Sequence, residues 1–218
     1  MHHPIIEDLL WRYTTKKYDN TRKVPQEDMD VFLEALRLSA SSINSQQWKF
    51  VVLASDEAKA RMQQSFGDSP SLNKQHVMDG SHVILFGNHP RYSREDYAEV
   101  VDQGIADKRT QAENRDAAFG ACVYIDKNTD SHGSTSGWTR AQTYIALGNA
   151  LHILARLKID ATPMEGIDAA AVTREFSEEL DGYACSLALV IGYHHPEEDF
   201  NAKLPKSRKP FEKVFTII

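Results

Sequence analysis

Ser39-Ala40-Ser41-Ser42-Ile43-Asn44-Ser45-Gln46-Gln47-Trp48 is the stretch on which the reading of this chain turns. It is rich in small hydroxyls and amides and carries little apolar bulk. Just before it, Pro25 supplies a helix start, and Glu27, Asp28 and Asp30 suit the positive N-terminal end of that helix. Met29, Phe32, Leu33 and Leu36 fall on one of its faces. Just after it, Trp48 to Ala54 is apolar on both faces, which predicts a central strand. A polar loop between two apolar elements lies at the edge of the core. Two basic segments, Arg12-Tyr13-Thr14-Thr15-Lys16 and Lys206-Ser207-Arg208, lie near opposite ends of the chain. If all three meet, they make a pocket of hydroxyl, amide and cationic donors suited to a phosphate-bearing, hydrogen-bonding ring system.

Outward from the loop, helices and strands are intermixed. Pro4 to Trp11 reads as a short helix, with Ile5, Ile6, Leu9 and Leu10 at three-to-four spacing. Asp56 to Phe66 reads as a second, capped by Ser55 or Asp56. Ser69-Pro70-Ser71 opens another that contains Asn73 and His76. His82 to Gly87 and Cys185 to Tyr193 are buried strands. Ser93 to about Asn128 is mostly helical and charged, and Asp126 to Gly137 reads as a loop. Ala169 to Leu180 is helical, and the tail from Phe211 to Ile218 is apolar and β-prone.

Trp138 to Leu157 is the most informative helix. Trp138, Ala141, Ile145, Gly148, His152 and Ala155 form one stripe, and Tyr144, Leu147, Leu151 and Leu154 a second beside it. A helix apolar all round is a buried one. Ala141, Gly148 and Ala155 fall at heptad spacing and allow close approach of another backbone. The periodicity is equally compatible with packing inside the domain and with a homodimer interface.

Composition limits the function classes. The 218 residues, 41% of them hydrophobic, fit one domain with a sizeable core. Cys122 and Cys185 match no CxxC or zinc spacing, so reduced thiols in a cytoplasmic protein are expected. No stretch of about 20 apolar residues spans a bilayer, so no membrane partner is expected. A net charge of −6 argues against a nucleic-acid partner, and an anionic ligand would need a local cationic patch.

The segments Arg12-Tyr13-Thr14-Thr15-Lys16, Ser41-Ser42-Ile43-Asn44-Ser45-Gln46, Pro163-Met164-Glu165-Gly166 and Leu204-Pro205-Lys206-Ser207-Arg208 together resemble the nitroreductase family. The likeness is greatest to its oxygen-insensitive NAD(P)H nitroreductases and NAD(P)H:flavin oxidoreductases. The four come in the family's order and span nearly the whole chain. The resemblance implies an α+β three-layer sandwich, with a mainly antiparallel sheet flanked by helices. It also implies an intertwined homodimer in which the C-terminal segment adds a strand to the partner's sheet.

The same resemblance implies an FMN site fed by NADH or NADPH. Arg12, Thr14, Lys206 and Arg208 are carried over as ligands of the FMN phosphate and ribityl chain. Taken alone, Lys206 and Arg208 would be read as solvated surface cations. Lys16 and Asn73 are carried over to the pyrimidine edge of the flavin ring, where a cation favours acceptance of hydride. His76 stands where many nitroreductases have a second lysine, which matches the flavin-reductase branch better. Ser41, Ser42 and Asn44 are carried over as contacts from the other subunit. Gln47 replaces a proline common in the family. Pro163, Met164, Glu165 and Gly166 are carried over to the N5 side, and Tyr124 to the substrate side, although its neighbours also suit a core aromatic.

No GxGxxG or Walker-type loop is present, so NAD(P)H and the acceptor would share one pocket in turn, as in the family's ping-pong kinetics. His194-His195-Pro196-Glu197-Glu198-Asp199 carries metal-ligand residue types, but adjacent histidines on a strand end point to opposite sides, and no metal is expected there. No GxSxG elbow supports a hydrolase. The sequence therefore reads as a flavin-dependent NAD(P)H oxidoreductase acting on free flavin, nitroaromatics or quinones. Its alternatives are a nitroreductase or dihydropteridine reductase as the main activity, and a non-catalytic flavin-binding dimer.

Overall fold

The apolar runs at residues 83–86 and 187–191 dictate the centre of the fold. In a strand, successive side chains point to opposite faces, so a continuous apolar run needs cover on both. The structure, a computed structural model, describes residues 2–66 and 72–218. The expected helix start at Ser69-Pro70-Ser71 lies outside the described residues. Among those described, four strands form one antiparallel sheet in the order β1-β2-β4-β3. They are β1 (Trp48–Leu53), β2 (His82–Asn88), β3 (Asp160–Met164) and β4 (Ala184–Gly192).

The helices are α1 (Pro4–Trp11), α2 (Gln26–Arg37), α3 (Asp56–Gln64), α4 (Leu72–Asp79), α5 (Arg94–Ala106), α6 (Arg115–Phe119), α7 (Val123–Lys127), α8 (Ser136–Leu157), α9 (Ala169–Glu175) and α10 (Ser177–Leu180). Ile84, Phe86, Leu187, Leu189 and Ile191 face α2 and α8, packing with Phe32, Leu36, Ala150 and Leu154. Val83, Leu85, Ala188 and Val190 face the other way, onto Met62, Val77, Val172, Phe176 and Leu180 of α3, α4, α9 and α10. Three layers result, as the resemblance implied. Each fully buried Leu, Ile, Val or Phe contributes about 1.5–3 kcal/mol relative to an exposed one.

One expectation is corrected. β1 is an edge strand, paired only with β2, and most of it is half-buried. Its apolar character comes from the α8 and α10 contacts on its faces, not from a neighbour on each side. Within the protomer the β-prone tail joins no strand of the sheet. Phe211–Lys213 is a single 3-10 turn, and Phe211, Val214, Phe215, Ile217 and Ile218 are exposed. The two stripes of α8 also separate. Leu147, Leu154 and Ala155 are buried, but Ala141, Ile145 and Gly148 are exposed, so one of its apolar stripes faces outward.

The ends of two helices are pinned by buried charge. Asp8 of α1, 4% exposed, accepts from Lys158 Nζ at 3.0 Å and from Arg156 at 3.3 Å. The Lys158 hydrogen bond above all holds the Asp8 carboxyl below its ordinary range. Lys59 of α3 is fully buried and donates to the carbonyls of Met78 and Gly80 at 3.1 Å, closing the C-terminal end of α4. A side chain at Gly80 would collide with Val190, so only glycine lets that end sit on β4.

Lys59→Met keeps the aliphatic stem but leaves those carbonyls without a donor. It should cost about 1–3 kcal/mol for each acceptor left buried and unsatisfied. The check is a urea titration, in which the midpoint falls with an unchanged slope. An unchanged midpoint would show that the clamp contributes nothing.

Candidate functional site

The N-terminal basic segment is laid along the outer side of β3. Thr14 bridges Ala161 in parallel, and Thr15 N donates to Ala161 O at 3.4 Å. Thr162 Oγ1 donates to Thr15 O at 2.6 Å and accepts from the buried Tyr18 hydroxyl at 2.9 Å. The C-terminal basic segment reaches the same place after β4. Asn201 Nδ2 donates to Thr14 O at 2.7 Å, and Lys206 Nζ donates to Arg12 O. Between the two segments lies a cavity of about 330 Å³ whose walls include Arg12, Tyr13, Thr14, Lys206, Ser207 and Arg208.

Three cations share that cavity. Burial, then the charge of Arg208, pushes the Arg12 guanidinium below its ordinary range. Burial, then Arg12 and Arg208, does the same to Lys206. Among the described residues none of the three forms an ion pair. Crowded, partly desolvated cations without a carboxylate favour a dianionic ligand, and arginine's fork suits a phosphate. The donor set therefore fits a phosphate-bearing cofactor.

The other expected residues lie outside this cavity, and Pro163, Met164 and Glu165 line a separate one of about 210 Å³ with Tyr144, Leu147 and Leu187. Asn73 of α4 donates from Nδ2 to Gly166 O at 2.8 Å, tying α4 to the turn after β3. A Cβ at Gly166 would come within 3.1 Å of that amide, so the glycine permits the close approach. Pro163 and Met164 lie within β3 itself. A proline is tolerated there because β3 is an edge strand. Glu165 accepts from the Tyr144 hydroxyl, with Arg140 at 3.8 Å. His76 faces inward, 2% exposed and edge-on to Tyr18, and burial followed by the Lys16 charge lowers its pKa. It is therefore held toward its neutral form. Lys16 itself is half-buried, with its backbone N–H on Asp199 at 3.2 Å.

The loop at 41–44 does not line this cavity. Ser42 N is held by Gln142 Oε1 of α8 at 2.8 Å, and Asn44 lines a separate cavity with Tyr97 and Arg109. Ile43, Asn44 and Gln46 all have positive φ, of 52°, 56° and 48°. Left-handed backbone at three residues with side chains costs on the order of 1–3 kcal/mol each, and Ile43 is β-branched. The surrounding bonds hold it: Gln46 N donates to Ser41 Oγ at 3.0 Å, and the single Ser45 hydroxyl proton lies between Ser42 O at 2.6 Å and the buried Gln47 side chain at 2.5 Å. Tyr124 on α7 is 49% exposed and lies under Lys127, while its neighbour Ile125 fills the core position.

Several residues of the site were not singled out from sequence. Tyr13, Tyr18, Thr162, Asp199 and Asn201 organise the wall through hydrogen bonds between residues far apart in sequence, for which no local pattern exists. The His194–Asp199 run is structural. His194 bonds Asp160 through both its N–H and Nδ1, at 2.9 and 2.8 Å, and His195 Nδ1 accepts from the N–H groups of Glu197 and Glu198. Another cavity, of about 430 Å³, is an apolar groove between α1, α2 and α8, and it offers no comparable donor set.

Comparison with known proteins agrees with this geometry. The sequence model of the nitroreductase family matches residues 9–193. The chain is 56% identical over 218 residues to the Major NAD(P)H-flavin oxidoreductase of Aliivibrio fischeri, covering 100% of both chains. It is 36% identical over 214 residues to the Oxygen-insensitive NAD(P)H nitroreductase of Salmonella typhimurium, covering 97% of this chain and 98% of that one. Its fold superposes, with a TM-score of 0.81 and 21% identity, on a protein from Exiguobacterium sibiricum assigned to the nitroreductases and crystallised in complex with FMN. That match covers 100% of this chain and 99% of the other.

Proposed function

The chain belongs to the nitroreductase family, and on that premise we propose that residues 1–218 form one FMN-binding domain that oxidises NADH or NADPH and reduces a second small molecule. The observation that carries the reading is the cavity where Arg12, Lys206 and Arg208 converge without a counter-ion. Those three hold the cofactor phosphate, and Thr14 bonds the chain that joins it to the ring. Lys16 and Asn73 hold the polar edge of the ring. The backbone N–H groups of Glu165 and Gly166 serve as donors on the reacting side. Pro163 and Met164 stand at the end of β3 on the N5 side, with Pro163 half-buried and Met164 anchored in the core behind it. Bound FMN would supply the hydride-accepting ring.

No side chain needs to act as nucleophile, because the site positions rings and sets their charge environment. Donor and acceptor use one pocket in turn, since the sequence has no dinucleotide fingerprint that would mark a separate nicotinamide site. Free flavin is the first acceptor to consider, given the flavin oxidoreductase at 56% identity. Nitroaromatics and quinones are further acceptors. Among the described residues no helix is long and apolar enough to cross a membrane, and a cytoplasmic location fits the two free cysteines.

A homodimer completes the reading. The outward stripe of α8, the open edge of β1 and the exposed apolar tail are three surfaces that a second copy would cover. Ser41, Ser42 and Asn44, absent from the cavity of their own protomer, then face the partner's cofactor. This arrangement gives the strained loop a purpose.

The central test is spectroscopic. The purified protein should be yellow, bleach with NADH under anaerobic conditions, and regain colour on addition of FMN or a quinone. Bleaching without recolouring would reduce the protein to a flavin carrier. Arg208→Ala should weaken FMN binding by roughly 1.5–3 kcal/mol, the contribution of a hydrogen bond to a charged group. Full retention of FMN at unchanged affinity would remove Arg208 from the site.

Deleting the residues from Val214 onward should lower both dimer stability and flavin retention, read by analytical ultracentrifugation and flavin absorbance. A truncated monomer with full turnover would contradict the dimer reading. Tyr124→Leu should change the ratio of kcat/KM for FMN to that for a nitroaromatic while flavin occupancy stays full. A constant ratio would exclude Tyr124 from the acceptor side.

A further inference from the structure

Asp199 is a buried carboxylate, 2% exposed, at the junction of the two basic segments. Its Oδ2 accepts from the Tyr13 hydroxyl at 3.0 Å. Its Oδ1 accepts from the backbone N–H of Lys16 at 3.2 Å and of Asn201 at 3.0 Å. Every one of these donors is neutral. Among the described residues Asp199 has no ion-pair partner, and the Lys17 ammonium is engaged with Asp79 at 2.9 Å. A buried carboxylate held by neutral donors keeps its field, because no adjacent cation cancels it and little water screens it. That field reaches its surroundings: Asp199 acts to raise the pKa of Tyr13, Tyr18 and His76. Lys16, whose backbone N–H Asp199 holds, is one of the two residues assigned above to the polar edge of the flavin ring.

We propose that Asp199 is a positioning residue that also sets the reduction potential of the bound flavin. Its hydrogen bonds fix the backbone from Tyr13 to Lys16 against the C-terminal turn, which orders both basic segments at once. Its unneutralised charge opposes the negative charge that the ring gains on reduction and so offsets part of the pull of Lys16. The reduced cofactor is thereby a stronger donor to the acceptor than the cationic pocket alone would make it. This rests on the FMN reading given above.

The test uses the FMN-loaded protein and two readouts besides activity. They are the potential of the bound flavin, by equilibration with a reference dye, and the FMN dissociation constant, by flavin fluorescence. Asp199→Asn removes the charge and should raise the affinity for reduced over oxidised FMN about tenfold, which for a two-electron couple is about 30 mV upward. Asn201→Ala removes the bond to Thr14 O without changing charge, and should weaken FMN binding while leaving the potential in place. Asp199→Glu and Asp199→Gln, matched in length, separate charge from fit should Asp199→Asn fail to hold flavin. The potential should stay near that of the unmodified protein in the first and rise in the second. An unchanged potential in both neutral variants overturns the proposal and leaves the FMN reading standing. An unmodified protein that takes up no FMN overturns both.

Discussion

β2 and β4 pair antiparallel from His82–Ile191 to Asn88–Ala184, with a register shift between Phe86 and Gly87. Both strands are covered on both faces, and the rest of the molecule hangs from this pair. β3 attaches to β4, the Arg12–Tyr18 segment attaches to β3, and the turn after β4 closes over that segment through Asp199 and Asn201. The cationic cavity is the last link of that series. Its geometry is therefore only as good as the register of the central pair, in which a slip by one residue would exchange the faces of every side chain.

The charge distribution inverts locally. A chain with a net charge of −6 collects Arg12, Lys206 and Arg208 at one cavity and keeps carboxylates out of ion-pairing distance. Just behind that wall it buries Asp199 among neutral donors. On the reading proposed above, the cations would face the ligand and supply binding, and an anion set behind them would tune it without blocking, because it is not placed to pair with the cations. Arg140, Tyr144 and Glu165 form a separate polar cluster on the outer side, where Glu165 remains largely exposed and water weakens its field.

Much of the fold was legible in the sequence because the signals were periodic. The helix at residues 4–11 and the strands near 82–87 and 185–193 follow directly from spacing. The edge position of β1 was not legible, because an apolar run reports covered faces and not the number of hydrogen-bonded neighbours. The tail carries β-propensity, which describes what a segment can join, and the protomer itself gives Phe211–Ile218 no strand to join. Within the site, Arg12, Thr14, Lys206 and Arg208 were visible through linear motifs, and the structure brings them to one cavity. Asp199 was hidden within a histidine-rich run that looked like a metal decoy. Its importance comes from a contact with Lys16, 183 residues away.

The joining of two segments so far apart in the chain also fixes when the site can exist during synthesis. Lys206 meets the Arg12 carbonyl across 194 residues, so no nascent chain that stops short of Lys206 can assemble the cavity. Residues through Arg208 must leave the ribosome before a ligand can meet all three cations. Until then β2 waits for β4, about a hundred residues later, with its apolar faces short of cover. Such delayed, non-local pairing is slow and exposes sticky intermediates. A phosphate-bearing ligand that bridges the two basic segments would act as a latch, favouring copies in which both have come together.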